Sequence, residues 1–172
     1  EGRIYQNAGQ GDLAMKSFIK AREVEGPITD TLTLGNLLVA QATYYYSTYK
    51  VKEFIANNQQ AARLYEAIGH SYYQFRSLLN TLDGSILNND KPLADSILTC
   101  CRSEIEKHPD YEASLLSYIL SYTITFGSDE EIRTAIESCL DKKNLSRNAK
   151  LKMALGYSKI GEAEKALQIF AE

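Results

Sequence analysis

The chain has 172 residues, 44% of them hydrophobic and 24% charged, and a formal net charge of −3. That is the balance of a folded globular protein, long enough to bury a substantial core. It carries no long basic run, no recognisable signal peptide and no apolar stretch near the roughly 18–20 residues that cross a bilayer, so this region is expected to contact neither nucleic acid nor membrane.

Apolar residues recur at intervals of three and four, as at Leu34, Leu37, Leu38, Ala42 and Tyr45 or at Leu115, Leu116, Ile119 and Leu120. This is the period of amphipathic helices, and nothing reads as a series of β-hairpins. Helices are predicted over 1–8, 11–24, 31–47, 50–68, 71–88, 91–107, 110–126, 129–141, 145–160 and 162–172. Short polar breaks between them, such as "IGH", "NND", "KHPD" and "KIGE", predict tight turns and antiparallel neighbours. Asp90 is expected to cap the sixth helix with Pro92 in its first turn, and Pro109 to open the seventh. Ser128 and Glu131 have the spacing of a capping box, which makes the acidic run from Asp129 to Glu131 a helix start rather than a cation site.

The two ends of the chain repeat one pattern. Tyr5, Gly9, Ala14 and Phe18 match Tyr157, Gly161, Ala166 and Phe170 in residue type and in spacing. The pattern describes a helix hairpin. The tyrosine lies late in the first helix, and the glycine turns the chain with φ > 0. The alanine sits where the two backbones come closest, and the phenylalanine fills the space toward the next hairpin.

Gly2 to Tyr5 as G-x-x-Y, then Ala14 to Phe18 as A-x-x-x-F with Ala21, and then Pro27, resemble the tetratricopeptide repeat. The spacing returns at Tyr45 and Phe54, with phenylalanine where the family has alanine. It returns at Ser85, Ala94 and Leu98, and at Thr123, Ile132 and Ile136 with Gly127 in the glycine place. The intervals between the anchors Ala14, Phe54, Ala94, Ile132 and Ala166 are at or above the family's usual 34 residues, and the family's tryptophan is missing throughout. The resemblance implies an all-α fold, a right-handed α-α superhelix of about four to five antiparallel hairpins. A single repeat array over 1–172 is expected, beginning and ending inside a repeat and so a piece of a longer protein. Ala14 and Ala166 are expected at buried crossings.

Catalytic chemistry is not expected. H-E-x-x-H, G-x-S-x-G, a phosphate-binding glycine loop and an EF-hand loop are all missing. No carboxylate pair has a spacing that argues for acid–base work. His70 and His108 fall at turns, where solvation or capping is the plain reading. Cys100, Cys101 and Cys139 read first as small buried hydrophobes, with a redox or metal role as the alternative. No metal and no cofactor is expected.

Two tyrosine-rich stretches, Tyr44 to Tyr49 and Ser71 to Phe75, lie on or at the start of first-half helices. Three consecutive tyrosines cannot share a helix face. Tyr45 is placed on the core stripe, Tyr46 toward a groove and Tyr44 toward the neighbouring unit. The alternative is that most tyrosines simply pack between repeats. In the family the first helices line a concave surface that binds peptides or partner helices. The resemblance then places Asn36, Val39, Thr43, Tyr46, Ser77, Asn80, Gly84, Ser114, Ser117, Ser121, Asn148 and Leu151 on that surface. This lining is small, polar and uncharged, so an acidic chaperone tail is not the expected ligand. The leading expectation is a non-catalytic scaffold for a peptide or partner protein. The alternative is a sensory or regulatory repeat region of a larger, membrane-associated bacterial signalling or transcription regulator. Cytoplasm and periplasm both stay open.

Overall fold

The computed structural model describes residues 2–24, 30–140, 142 and 145–171, without the side chains of 3, 6, 22–24, 170 and 171. Among the described residues it contains ten α-helices, one short 3-10 turn and no strand. The helices are α1 (Gly2–Asn7), α2 (Gly11–Val24), α3 (Thr31–Ser47), α4 (Val51–Ala67), α5 (Ser71–Leu87), α6 (Lys91–Lys107), α7 (Glu112–Phe126), α8 (Asp129–Leu140), α9 (Arg147–Lys159) and α10 (Ala163–Ala171). Their ends fall within one or two residues of the predicted ones.

Local chemistry sets those ends. The Asp30 carboxylate accepts from the backbone N–H groups of Leu32 (3.3 Å) and Thr33 (3.0 Å) at the start of α3. Asp90 accepts from Leu93 N–H at 3.1 Å, with proline in the first turn of α6. Before α8 the capping box is reciprocal: Ser128 N–H donates to Glu131 at 2.7 Å, and Glu131 N–H donates to Ser128 Oγ at 3.3 Å. Each bond satisfies a donor that the helix itself leaves open. Pro109 opens the 3-10 turn Pro109–Tyr111 that leads into α7.

Five connections share one form, in which two turn residues and one further residue join consecutive helices. The second residue of each is left-handed: Gly9 (φ 71°), Tyr49 (φ 59°), Gly69 (φ 69°), Asn89 (φ 54°) and Gly161 (φ 80°). Glycine and asparagine tolerate that geometry; tyrosine does not do so readily. Gly127, predicted to turn in the same way, has φ −88° and simply ends α7.

The chain divides into two compact units, Glu1–Asn88 and Asn89–Glu172. In the first, each helix from α1 to α5 packs on the next. Ala14, Phe18 and Ala40 form one buried cluster, and Leu38, Ala61 and Tyr65 another. In the second, α7 touches α6, α8 and α9, and α9 pairs with α10. Its core gathers Leu120, Ile132, Ile136, Cys139, Met153, Tyr157 and Ala166.

Among the repeat positions, Ala14, Phe18, Phe54, Ala94, Leu98, Ile132, Tyr157 and Ala166 are all buried. Tyr5 and Tyr45 are half-buried, and Gly9 and Gly161 lie exposed in their turns. Ala21 was expected to pack; it is instead exposed, on the outer side of α2 one turn past Phe18. Pro27 and the Phe170 side chain lie outside the described residues.

Candidate functional site

In the first unit a cavity of about 340 Å³ opens between α3 and α5, with the end of α4 at its side. Helix α3 contributes Asn36, Val39, Ala40 and Thr43, spaced so that they share one face. Helix α5 contributes Tyr72, Tyr73, Arg76, Ser77 and Asn80 by the same rule, and α4 contributes Tyr65.

The walls are held by hydrogen bonds. The Tyr65 hydroxyl donates to Asn36 Oδ1 at 3.0 Å, which ties α4 to α3. Asn80 Nδ2 donates to Asn58 Oδ1 at 3.1 Å, which ties α5 to α4. Asn58 is fully buried, and its own amide donates to the Phe54 carbonyl at 2.9 Å. Leaving the buried Asn58 oxygen unpaired would cost about 1–3 kcal/mol, so its bond to Asn80 favours one alignment of α5 on α4.

Aromatic rings build one end of the cavity. Tyr73 stands 5.3 Å from the Tyr65 ring and 4.4 Å from the His70 ring, centroid to centroid. His70 precedes α5 without capping it, its ring packed into this cluster. Arg76 is the one charged side chain of the lining, and its Nη1 lies 3.5 Å from the Tyr72 hydroxyl. No carboxylate lines the cavity.

Tyr46 continues the α3 stripe beyond Thr43. It is 48% exposed and its ring rests on Phe54 at 5.1 Å. The charge of Asp83, on α5, raises the Tyr46 hydroxyl above the usual tyrosine range, with burial and Tyr49 adding to the shift. Tyr44 points the other way, and its hydroxyl donates to Asp12 of α2 at 3.0 Å.

The structure thus brings Asn36, Val39, Thr43, Ser77 and Asn80 to one cavity, while Tyr46, further along α3, is not in its lining. Gly84 is not part of that surface. It is buried against α4, where an added Cβ would meet Ile55 Cγ1 at 2.7 Å and Phe54 Cδ1 at 2.9 Å. Ser117 and Ser121 are likewise buried, within α7. These residues are small because helices pack there, not because a ligand needs room. Ser114, Asn148 and Leu151 are exposed residues of the second unit and do not line this cavity.

Arg76 is missing from the predicted lining, although it shares a helical stripe with Tyr73 and Asn80. A search for clusters of basic residues passes over a single arginine.

A scan of protein-family models, a search of curated proteins and a search of solved structures find no match to this chain. The site is therefore described by its own chemistry.

A second cavity, of about 420 Å³, lies among α6, α7 and α8. Three of its four charged side chains, Lys91, Glu130 and Glu131, are engaged within the chain. Lys91 bonds Asp95 at 2.9 Å and the Tyr122 hydroxyl at 3.0 Å, and Tyr122 donates to Asp95. Glu131 serves the capping box.

Burial pushes the Cys101 thiol up to about 12 and raises that of Cys139, so neither is a ready nucleophile. Cys100 is exposed. No group of three His, Cys, Asp or Glu suited to a metal occurs among the described residues. No described helix is long and apolar enough to cross a membrane.

Proposed function

We propose that the protein is a non-catalytic interaction module whose cleft between α3 and α5 receives an extended segment of a partner protein. In this reading the hairpins belong to a tetratricopeptide-like array with a right-handed superhelical course, and the cleft is part of its inner surface. The observation that carries the proposal is the lining itself. Tyrosine rings, amides and one arginine converge on an open cavity, and these residue types suit protein recognition: stiff amphipathic rings for contact area, amides for backbone hydrogen bonds.

Site-specific photocrosslinking tests it. A photoreactive side chain at Thr43 or Asn80, on the cavity wall, should capture the same partner from the native host. The same probe at Ser114, which does not line the cavity, should not. Capture that is equal at all three positions, or none above background at Thr43 and Asn80, refutes the cleft as the binding surface.

A further inference from the structure

The cavity among α6, α7 and α8 holds a charge that the chain leaves unmatched. All of its lining belongs to the second unit. Helix α7 touches both α6 and α8. Lys91 Nζ, in the first turn of α6, donates to the Tyr122 hydroxyl late in α7 at 3.0 Å, and only two residues separate α7 from α8. The starts of α6 and α8 therefore meet the last turns of α7 at one end of the cavity. That end is electrically closed. Lys91 is held by Asp95 at 2.9 Å, Glu130 lies 3.7 Å from Arg133, and Glu131 is occupied by the capping box.

Arg102 is the remaining charge of the lining. Eleven residues of α-helix separate it from Lys91, a span of about 16 Å. It is exposed, and among the described residues it makes no hydrogen bond and no ion pair. Its own helix does not neutralise it. Glu104 is buried and paired with Lys107 at 2.8 Å, and Glu106, one turn on from Arg102, does not line the cavity. On α8 the Thr134 hydroxyl is a second open donor, whereas Ser138 already donates to the Ala135 carbonyl at 2.8 Å.

Much of the remaining wall is apolar. Leu98, Ile119 and Phe126 contribute to it, and the Phe126 ring lies 5.3 Å from that of Tyr122. A cavity of about 420 Å³ falls in the range of small-molecule sites, which combine an apolar body with a few polar groups. The charges of Lys91, Arg102, Glu130 and Glu131 cancel. A dianion such as a phosphate ester meets no net attraction here, while one carboxylate matches the one open guanidinium fork.

We propose that this cavity binds a small organic monocarboxylate, its carboxylate paired with Arg102 and its apolar body against Ile119 and Phe126. The site shares no residue with the cleft between α3 and α5, and neither reading depends on the other.

An amide NMR titration of the full chain with phenylbutyrate, phenylbutyramide and phenyl phosphate tests it. The acid should bind at least about tenfold more tightly than the amide, because a bond between two charged groups replaces a neutral one. Its signal changes should centre on Arg102, Thr134 and Ile119. Arg102→Gln should abolish the preference for the acid, and Arg102→Lys should keep part of it, since the charge persists without the fork. Circular dichroism checks that both variants keep the fold. Equal affinity for acid and amide, an acid affinity that Arg102→Gln leaves unchanged, or signal changes outside the lining overturns the inference. So does tighter binding of phenyl phosphate than of the acid, or no binding of the acid in the millimolar range.

Discussion

Adding a single methyl group at Gly84 tests the packing of α5 on α4. A Cβ there would lie 2.7 Å from Ile55 Cγ1 and 2.9 Å from Phe54 Cδ1, whereas carbon atoms rest at about 3.5–4.0 Å. Neither neighbour yields easily, since Phe54 and Ile55 are themselves buried, at 5% and 7% exposure. Relieving the clash needs a displacement approaching 1 Å, and overpacking of this kind costs about 1–3 kcal/mol. Alanine regains about 1 kcal/mol of helix propensity over glycine. The net for Gly84→Ala is a loss of about 1 kcal/mol. Gly84→Val brings two further methyl groups and a stiff χ1, and its loss is about 3 kcal/mol. For a chain of this size each kcal/mol moves the thermal midpoint by about 2–4 °C. Far-ultraviolet circular dichroism should therefore show midpoints lowered by about 2–4 °C for alanine and about 6–12 °C for valine. Ser114→Ala on an exposed helix face should change little. A higher midpoint for Gly84→Ala would show that the two helices do not meet at this residue.

Ala14 has no exposed surface, so Ala14→Glu should cost more than about 3 kcal/mol through overpacking and an unpaired charge; a midpoint change below one degree would contradict that packing. Tyr49→Gly should raise the midpoint by about 1–4 °C, because relief of the left-handed strain, about 1–2 kcal/mol, exceeds the extra freedom glycine adds to the unfolded chain. Gly69→Ala, at φ 69°, should lower it, and the same sign for both variants would defeat the strain argument. Glu162 is held below its ordinary 4.5 by Lys165 and then Arg133, and Arg133 bonds it at 2.8 Å from α8. A lowered carboxylate stabilises the fold above its unfolded pKa, and that stability is lost as pH falls through the folded value. The midpoint should accordingly drop below pH 4.5, and Glu162→Gln should both lower the midpoint at neutral pH and flatten the acid limb; an unchanged limb would refute the linkage.

The helices were legible because their stops are written in side-chain chemistry. Asp90, Ser128 with Glu131, and the turn glycines Gly9 and Gly161 each mark an end by a hydrogen bond or a backbone angle that few residues supply. The cavity was legible in part. Helical projection groups Asn36, Val39 and Thr43 on one face, and Ser77 and Asn80 on another. Projection says which residues share a face but not which element covers it, so Gly84, Ser117 and Ser121 were assigned to a surface when another helix occupies their side. Arg76 escaped because its meaning comes from what surrounds it, an aromatic wall without a carboxylate, and that is a property of two helices at once. Tyr49 escaped for a different reason: its position is normally glycine or asparagine, and no rule of composition places tyrosine there.

The paired amides of Asn58 and Asn80 have a consequence of their own. Greasy helix faces slide past one another at small cost, since one row of methyl groups is much like the next. The Asn58 carboxamide, buried between α4 and α5, meets Asn80 in a single alignment, and a slip of one turn leaves its oxygen without that partner. The bond acts as an index pin, and the pieces of the cleft that α5 carries, from Tyr72 to Asn80, inherit their positions from it.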